Sequence, residues 1–471
     1  MKINIMIVLT FMGCAHVFAQ SETYTLKDCI QIALRNNYDV QAAQLSYKTA
    51  EVNFKQGRNA LLPSLNGNYN LGVSRGRSID PFTNDFVNEE LTFSNARLSL
   101  DATVFNGFRL LNRLKQSKLT MRASEMDAAQ VRRDLALDVT LAFLQVINAR
   151  DVLQLTDTRL ESTNEQLSRL ETLFEEESGN PAEFRDLQGQ ITNDQAARIT
   201  AENSLKTAQL SLNQFMNTKI PITASKLVVM IAFKPYDLSV EEVYTNALEN
   251  LPTFKANSLR LEAAEKGVSV AKSQYIPEIS VFANVGSNYS SAARLFTENG
   301  SSIQETGDFV TVNNTIIPVQ TDQVNFTSSD ISYQDQFDNN LNSSVGVAVS
   351  LPIFNGFRAK NNVALEKIKK EEAQVALERT QQEVGVIIEQ SYNAMQAAYE
   401  RYTVLEQQVV AYSESFRINE IRFENGVSTS VEYITSKNNL ENAKVNLANA
   451  KYEYELRVRV LDMYGAPLTQ L

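Results

Sequence analysis

Histidine and cysteine, the residues that most often serve as catalytic bases, nucleophiles and zinc ligands, are scarce in this 471-residue chain. The sequence contains one histidine, His16, and two cysteines, Cys14 and Cys29. A catalytic triad needs a histidine base, and protein zinc sites are built from histidine and cysteine ligands. Because His16 and Cys14 fall in a segment that we expect to be cleaved, the mature chain keeps only Cys29, which we expect to be buried. We therefore predict no enzymatic activity, no cofactor, no metal site and no internal disulfide.

The segment expected to be cleaved is MKINIMIVLTFMGCAHVFA, residues 1–19. Lys2 precedes a short apolar core, and the segment ends on the small residue Ala19, which is typical of a secretory signal peptide. The stretch FMGC leaves open a second interpretation, in which Cys14 is acylated. Loss of Lys2 changes the formal net charge from −11 to −12. An acidic chain without basic clusters does not favour a nucleic-acid partner. We expect an exported protein.

The pentapeptide FNGFR occurs twice, at Phe105–Arg109 and at Phe354–Arg358, which are 249 positions apart (354 − 105). The same offset aligns residues 170–188 with 419–437, and an offset of 214 aligns Pro63 with Pro277. The chain therefore consists of two copies of one unit, and each copy predicts a helix, a β-hairpin, a long helix, a turn and a second long helix. We expect the first repeat with its linker to span 20–236 and the second to span 237–471.

Long helices are predicted over residues 108–174 and 358–425, and shorter return helices over 182–217 and 429–464. Leu, Ala, Gln, Arg and Glu dominate these stretches, and apolar residues recur at spacings of three and four. The segments SGNPAE and ENGVSTS carry Gly179, Pro181 and Gly426, which are typical of tight helix–helix turns. Helices of this length favour coiled-coil packing over burial in a thick core.

Strands are predicted by strict alternation of apolar and polar residues, in β-hairpins over about 64–105 and 278–354. The polar stretch over about 290–340 predicts a long extracellular loop with partial strand structure. Alternation usually indicates a soluble sheet with one buried face. In this chain only long helices remain to cover the apolar face, so a lipid-facing surface fits better. The apolar positions include Leu65, Leu71, Leu98, Leu100, Val104, Val281, Val285, Val345, Val349 and Ile353.

Four such strands cannot close a membrane barrel, because the smallest single-chain barrels have eight. An open sheet edge in hydrocarbon would leave backbone groups unpaired at several kcal/mol each. Several copies of the chain must therefore share one barrel. The strand count alone allows two, three or four copies.

Two repeats, each with a strand pair that ends in FNGFR and a helical hairpin, resemble the TolC family of outer-membrane channel proteins. The resemblance covers essentially the whole mature chain and includes the F-E-x-G turn at Phe423–Gly426 and the ending at Leu440–Gly465. It implies a mixed α and β membrane fold, in which three copies form a twelve-stranded outer-membrane β-barrel continuous with a periplasmic α-helical barrel. It also implies an outer-membrane channel component of a tripartite efflux or secretion system, including type I secretion.

The resemblance further implies partners and a periplasmic aperture. The partners are two further copies, outer-membrane lipid, a periplasmic adaptor and an inner-membrane transporter of the RND or ABC type. In the family, acidic residues shortly after the second turn glycine line the aperture. Glu432 matches the first of these acids, whereas Thr435 stands where the family pattern has a second one. Glu183 and Asp186 occupy the corresponding places in the first repeat. All three carboxylates could instead be solvated residues that stabilise a helix start.

The FNGFR residues Phe105, Gly107, Arg109, Phe354, Gly356 and Arg358 are expected to mark the junctions between strands and helices. We expect a structural role for them, with glycine turning the chain and arginine at the polar boundary. The alternative function is a trimeric coiled-coil stalk of a surface adhesin. A stalk would have continuous heptads without paired strands, so the strands favour the channel.

Overall fold

The computed structural model describes residues 23–79, 84, 86–88, 90–175, 180–218, 221–228 and 233–465. The predicted signal peptide with Cys14, and the turn residue Gly179, lie outside the described residues. In chain order the helices and strands are α1 (Leu26–Asn36), α2 (Tyr38–Asn59), β1 (Ser64–Ser74), β2 (Arg77–Ile79), β3 (Phe86–Asn88), β4 (Leu91–Phe105), α3 (Arg109–Glu175), α4 (Pro181–Met216), α5 (Val240–Asn250), α6 (Pro252–Lys272), β5 (Glu278–Ser290), β6 (Arg294–Val312), β7 (Thr315–Asp330), α7 (Tyr333–Asn339), β8 (Asn342–Ser350), α8 (Arg358–Glu424) and α9 (Ser430–Gly465).

The chain forms two compact units, and each unit contains segments of both repeats. The helical unit comprises the described parts of residues 1–51, 119–262 and 371–471. The sheet unit comprises the described parts of 52–118 and 263–370. The predicted boundary at residue 236 separates the two sequence repeats, which are not the same as the two compact units, and it stays a prediction.

The helical unit repeats its helix starts as well as its helices. α1 and α5 each have 11 residues and each begin with a reciprocal capping box. Thr25 and Asp28 form the first box, and Ser239 and Glu242 form the second, 214 positions later (239 − 25). In each box the two side chains satisfy backbone N–H groups that the helix itself leaves unpaired. The 214-residue offset found in the sequence therefore extends to the caps.

Two apolar cores hold the helical unit together. Phe143 of α3 and Leu212 of α4 are buried in the first core, together with Cys29 of α1. Ile388 of α8 and Leu461 of α9 are buried in the second core, which α5 also contacts. Most other positions on the long helices are exposed or half-buried, as expected for narrow coiled-coil contacts. No helix among the described residues is long and apolar enough to cross a membrane.

The sheet unit contains a four-stranded antiparallel sheet with the order β1-β4-β5-β8. β2 and β3 pair as a short hairpin between β1 and β4. Because β4 of the first repeat pairs with β5 of the second, the sheet joins the two repeats.

The segment over about 290–340, predicted as a long loop with partial strand structure, is largely ordered, and its extracellular position stays a prediction. β6 and β7 form an ordered antiparallel ribbon in this segment, and α7 follows it. The ribbon turns at Asn313 and Asn314, which have φ angles of 53° and 66°. Asparagine tolerates this left-handed conformation better than most residues do, so the pair supports a two-residue hairpin turn.

The fourth strand of the sheet, β8, ends earlier than the alternating pattern predicts. The alternating pattern extends the strand to Ile353, whereas β8 ends at Ser350. Pro352 follows two positions later, and proline cannot donate a backbone hydrogen bond to a strand ladder. β4, without a proline, continues to Phe105.

Candidate functional site

The four-stranded sheet separates apolar and polar side chains onto opposite faces. One cross-strand row contains Leu65, Leu100, Ala283 and Val345. The neighbouring row on the other face contains Asn66, Ser99, Asn284 and Ser344. The apolar row is not covered by the described part of the chain: Leu65 is 63% exposed and Val345 is 78% exposed. A large exposed apolar sheet face indicates contact with lipid or with another protein surface.

The polar face forms an open cavity of about 540 Å³. Its lining includes Asn68, Asn95, Arg97, Asn288 and Asn342. These side chains hydrogen-bond readily with water, so this face suits an aqueous space.

Two aromatic rings lie over glycines on the polar face. Phe93 lies opposite Gly72, and Phe282 lies opposite Gly346. A Cβ atom at Gly72 would come within 2.8 Å of the Phe93 ring, and one at Gly346 within 2.6 Å of the Phe282 ring. Sequence reasoning missed both pairs of ring and glycine, because aromatic residues at polar-face positions break the alternation.

The two FNGFR junctions have the same local geometry. Phe105 and Phe108 meet edge to face with ring centroids 5.5 Å apart, and Phe354 and Phe357 do so at 5.6 Å. Gly107 and Phe108 have φ angles of 64° and 61°, and Gly356 and Phe357 have 62° and 59°. Two consecutive left-handed residues reverse the chain between strand and helix, and only glycine adopts this conformation without strain. The repeated pentapeptide therefore encodes a specific turn.

The two junctions lie at the same end of the sheet. Arg109 and Arg358, the first residues of α3 and α8, both line a cavity of about 350 Å³ that also includes Pro352. Arg109 Nη2 lies 3.0 Å from Glu278 Oε2 in a half-exposed ion pair. Glu278 is the first residue of β5, so this ion pair links a helix of the first repeat to a strand of the second.

The turn between α8 and α9 forms around Gly426, which has a φ angle of 69°. The Val427 N–H donates to the Arg422 carbonyl at 2.8 Å, and the Gly426 N–H donates to the Phe423 carbonyl at 3.0 Å. These two bonds form a Schellman motif, which ends a helix on a left-handed residue. In the other turn, Pro181 is the first residue of α4, and the Asn180 side chain accepts from the Ala182 N–H at 3.1 Å.

The structure places all four predicted aperture residues in the first two turns of two helices, with Glu183 and Glu432 in the first turn and Asp186 and Thr435 in the second. Glu183 and Asp186 belong to the start of α4, and Glu432 and Thr435 belong to the start of α9. The Ser430 hydroxyl donates to Asp186 Oδ2 at 2.8 Å, which brings the two helix starts together. Asp186, Glu432 and Thr435 are exposed, and Glu183 is half-buried. Carboxylates at a helix start also interact favourably with the helix dipole.

Sequence reasoning missed a buried charged cluster that lies farther along α4 and α9 than these helix starts. Asp194 of α4 is 0% exposed and Lys437 of α9 is 2% exposed. Arg159 Nε of α3 lies 2.6 Å from Asp194 Oδ1. Thr163 Oγ1 donates to Asp194 Oδ2 at 2.5 Å, and Lys437 Nζ donates to Thr163 Oγ1 at 2.9 Å. Polar residues at these positions resemble a solvated helix face in the sequence, so no pattern distinguishes them.

Burial lowers the pKa of Lys437 to about 8, although the nearby carboxylates of Asp194, Glu441 and Glu420 favour its charged form. Desolvation penalises the charged form of any buried group. The neighbouring Tyr433 is also buried, and its ring stacks on Phe423 with centroids 4.8 Å apart. The charged cluster and this ring pair hold α9 against α3, α4 and α8 close to the turn.

Among the described residues, no group of His, Cys, Asp and Glu side chains is arranged to hold a metal ion. The features that stand out are thus the apolar sheet face, the polar sheet face and the charged helix starts.

Comparisons with known proteins agree with this architecture. The profile of the family described as "Outer membrane efflux protein" matches residues 29–218 and 243–463. The chain is 22% identical over 440 residues to "Outer membrane protein TolC" of Escherichia coli, with 92% of this chain and 80% of that protein covered. It is 20% identical over 431 residues to "Outer membrane efflux protein BepC" of Brucella suis, with 91% of this chain and 82% of that protein covered.

The fold is also similar to solved structures. The outer membrane protein VceC from Vibrio cholerae superimposes with a TM-score of 0.73 at 14% identity, with 94% of this chain and 96% of that chain covered. At this identity the likeness concerns the fold alone.

An exposed apolar sheet joined to long helical hairpins is the architecture of an outer-membrane channel protein that extends into the periplasm. The chain belongs to the outer membrane efflux protein family, whose profile covers most of its length. The family is one of channel proteins, so the alternative of an adhesin-like stalk is not favoured.

Proposed function

We propose that the protein is the outer-membrane conduit of a tripartite export system and that it works as a homotrimer. Three four-stranded sheets then close a twelve-stranded barrel, with the apolar face toward lipid and the polar face toward a water-filled channel. The two helical hairpins of each chain contribute to a periplasmic helical barrel. Substrates pass passively from an inner-membrane transporter of the RND or ABC type, through a periplasmic adaptor, to the exterior.

The observation that carries this proposal is the four-stranded sheet with an exposed apolar face. Within the described residues, the outer edges of β1 and β8 have no strand partner. Unpaired backbone groups in hydrocarbon cost several kcal/mol each, so these edges must pair with other copies. Pairing β8 of one copy with β1 of the next closes the sheet without any edge.

The height of the apolar face supports a membrane location. The exposed apolar face reaches from Leu71, which pairs with Ser94 of β4, to Val104, and Ser94 and Val104 are ten positions apart (104 − 94), which corresponds to about 33 Å of strand. A tilt of about 40° reduces this length to a height of about 25 Å, which is the height of the apolar band in outer-membrane barrels. Aromatic residues lie at both ends, with Phe105 and Phe354 at the helix junctions and Tyr69 and Tyr289 toward the opposite end.

The helix starts with Glu183, Asp186, Glu432 and Thr435 are proposed to form the periplasmic aperture. Threefold symmetry turns each carboxylate into a ring, and a ring of carboxylates concentrates cations at an opening. The turns at Pro181 and Gly426 would then be the parts that move or contact the adaptor.

Native mass spectrometry of the detergent-purified protein tests the stoichiometry, and a trimer is expected. Conductance of the same sample in a planar bilayer tests the channel. A stable monomer or dimer, or a trimer without conductance under any applied voltage, would contradict the proposal. The variant Glu432→Gln separates the aperture from the barrel, because it should change conductance while the protein remains a trimer.

A further inference from the structure

Helix α7 lies on the apolar face of the sheet, toward the end opposite the helix junctions. The Ser94 hydroxyl donates to the Tyr333 hydroxyl at 3.2 Å, and the Tyr69 hydroxyl lies 3.4 Å from it. The Ser287 hydroxyl donates to the Phe337 carbonyl at 2.6 Å. Tyr69, Ser94 and Ser287 all occupy positions on the apolar face. Tyr69 and Ser287 pair with Ala96 from either side, and Ser94 lies two residues before Ala96 on the same strand. These side chains fix the helix to that face.

The attachment of α7 is well defined. Gln336 is buried, its carboxamide accepts from the Ser290 N–H at 3.0 Å, and it donates to the Ser290 carbonyl at 3.0 Å. The Asn340 side chain donates to the Asn288 carbonyl at 2.8 Å. The helix therefore satisfies backbone groups of β5 beyond Gly286, where the pairing of β5 with β8 stops.

A pocket of about 330 Å³ opens between α7 and the sheet. Phe337 and Leu341 line one side, and Gly67, Leu98 and Val285 line the other. Leu98 and Val285 pair directly across β4 and β5, and Leu341 is 63% exposed. The lining is largely apolar and includes Tyr69, whose hydroxyl lies 3.4 Å from the hydroxyl of Tyr333 in α7.

We propose that this pocket binds an acyl chain of a lipid in the outer leaflet, with α7 lying at the level of the headgroups. The inference rests on the proposed function, because it requires the apolar face to contact lipid. Tyrosine places its ring in an apolar region and its hydroxyl in a polar one, which suits the boundary between chains and headgroups. A lipid chain is a better occupant than a protein partner, because the pocket lies on the apolar face, where the proposed barrel already contacts lipid.

The sequence makes a fluorescence test direct, because the chain contains no tryptophan. Phe337→Trp places a single probe in the pocket, Val347→Trp places one on the apolar face at mid-height, and Gln304→Trp places one on the β6–β7 ribbon. Each variant is reconstituted in vesicles of phosphatidylcholine whose acyl chains carry bromine either near the carbonyl or near the chain end. Bromine quenches tryptophan only at close range.

We expect the Phe337→Trp probe to be quenched most strongly by bromine near the carbonyl. We expect the Val347→Trp probe to be quenched most strongly by bromine near the chain end, and the Gln304→Trp probe to be unaffected. Quenching at Val347→Trp without quenching at Phe337→Trp would overturn the inference and leave the barrel intact. Loss of quenching at both positions would contradict the proposed function itself.

A second variant tests the pocket rather than the position of α7. A Cβ atom at Gly67 meets only Leu98 at an ordinary contact distance of 3.5 Å, so Gly67→Leu fills the pocket without strain in the strand. Combined with Phe337→Trp, it should reduce quenching by both lipids at least twofold, while Val347→Trp combined with Gly67→Leu stays quenched. Unchanged quenching in the filled pocket would show that no acyl chain occupies it and would overturn the assignment.

Discussion

The Ser430 hydroxyl donates a hydrogen bond of 2.8 Å to Asp186, and this bond connects the first turn of α9 to the second turn of α4. The two residues belong to different repeats and are 244 positions apart in the chain. Ser430 is buried, whereas Asp186 is exposed. The bond therefore ties together two helix starts that the aperture proposal requires to be close.

Removing this bond should loosen the start of α9. Ser430→Ala should cost about 1 kcal/mol, the usual contribution of a hydrogen bond. Amide hydrogen exchange at residues 432–434 should then become roughly fivefold faster. Thr192→Ala is the control, because Thr192 donates only to the Gly189 carbonyl of its own helix. Equal exchange rates in both variants would show that the bond does not restrain the helix start.

The carboxylate of Glu432 should govern ion selectivity at the aperture. Glu432→Gln should lower the preference for cations and weaken block by divalent cations, since a ring of negative charge is lost. Glu161→Gln is the matched control, because Glu161 is exposed on α3, fourteen residues before the end of that helix (175 − 161). Thr435→Asp, which adds a carboxylate one turn later, should have the opposite effect. Bilayer recordings of Glu432→Gln that match the unmodified channel would favour a solvated helix-start residue.

The buried Asp194 should be important for the stability of the helical unit. Asp194→Asn removes the buried negative charge that pairs with Arg159 and favours the charged form of Lys437. Loss of one partner of a buried ion pair costs about 3–5 kcal/mol. Asp157→Asn removes an exposed pair with Arg198 and should cost less than about 1 kcal/mol. Thermal unfolding followed by circular dichroism compares them, and similar midpoints would contradict a role for burial.

Lys437 should make stability depend on pH. Its pKa is about 8 in the folded protein, because of burial, compared with an ordinary lysine value of 10.5. Between these values the unfolded chain binds a proton that the folded protein lacks, so unfolding free energy rises with pH in this window. Below pH 8 both states are protonated and the full cost of burying the charge is present.

Lys437→Met should abolish this rise in unfolding free energy between pH 8 and 10, because the variant has no group that titrates at this position. The measurement is the thermal midpoint of each protein at several values between pH 7 and 10. Lys444→Met serves as control, because Lys444 lies on the same helix but is half-exposed beside Glu441. The idea fails if both variants show the same pH dependence as the unmodified protein.

The two faces of β4 should tolerate charge differently. Leu100→Arg places a cation on the apolar face near mid-height and should cost about 2–4 kcal/mol. Ser99→Arg, one residue away on the polar face, should cost little, because it lies beside Asn66 and Asn284. Denaturant titration of refolding into vesicles gives both values. Equal tolerance at the two positions would count against the barrel.

The elements that sequence reasoning located are those with local signals. Helix periodicity, the glycine of FNGFR and the glycine or proline of each turn depend on nearby residues, so the long helices were predicted to within one or two residues at each end. Pro352 is also a local signal, yet the alternating pattern was continued through it. The paired strands followed from alternation, and the register of β4 with β5 confirms that their apolar positions share one face.

The remaining features depend on contacts between distant segments. Asp194 and Lys437 are 243 positions apart (437 − 194), and each is a charged residue of the kind that usually faces solvent on a helix. Only the packing of α3, α4 and α9 buries them. α7 has seven residues in a polar stretch, and the hydroxyl of Tyr333 finds its partners on β1 and β4. A single sequence contains no periodic signal for such contacts.

The ring of Phe282 over Gly346 has a consequence for the evolution of the sheet. A methyl group at position 346 would force the ring of residue 282 out of its place, whereas loss of the ring would leave bare backbone exposed on the polar face. Neither substitution is neutral alone, and each becomes acceptable once the other has occurred. The two positions are 64 residues apart (346 − 282), but their residue types should covary. Phe93 and Gly72 form a second such pair. Among descendants of this sequence, glycine and aromatic residue should disappear together.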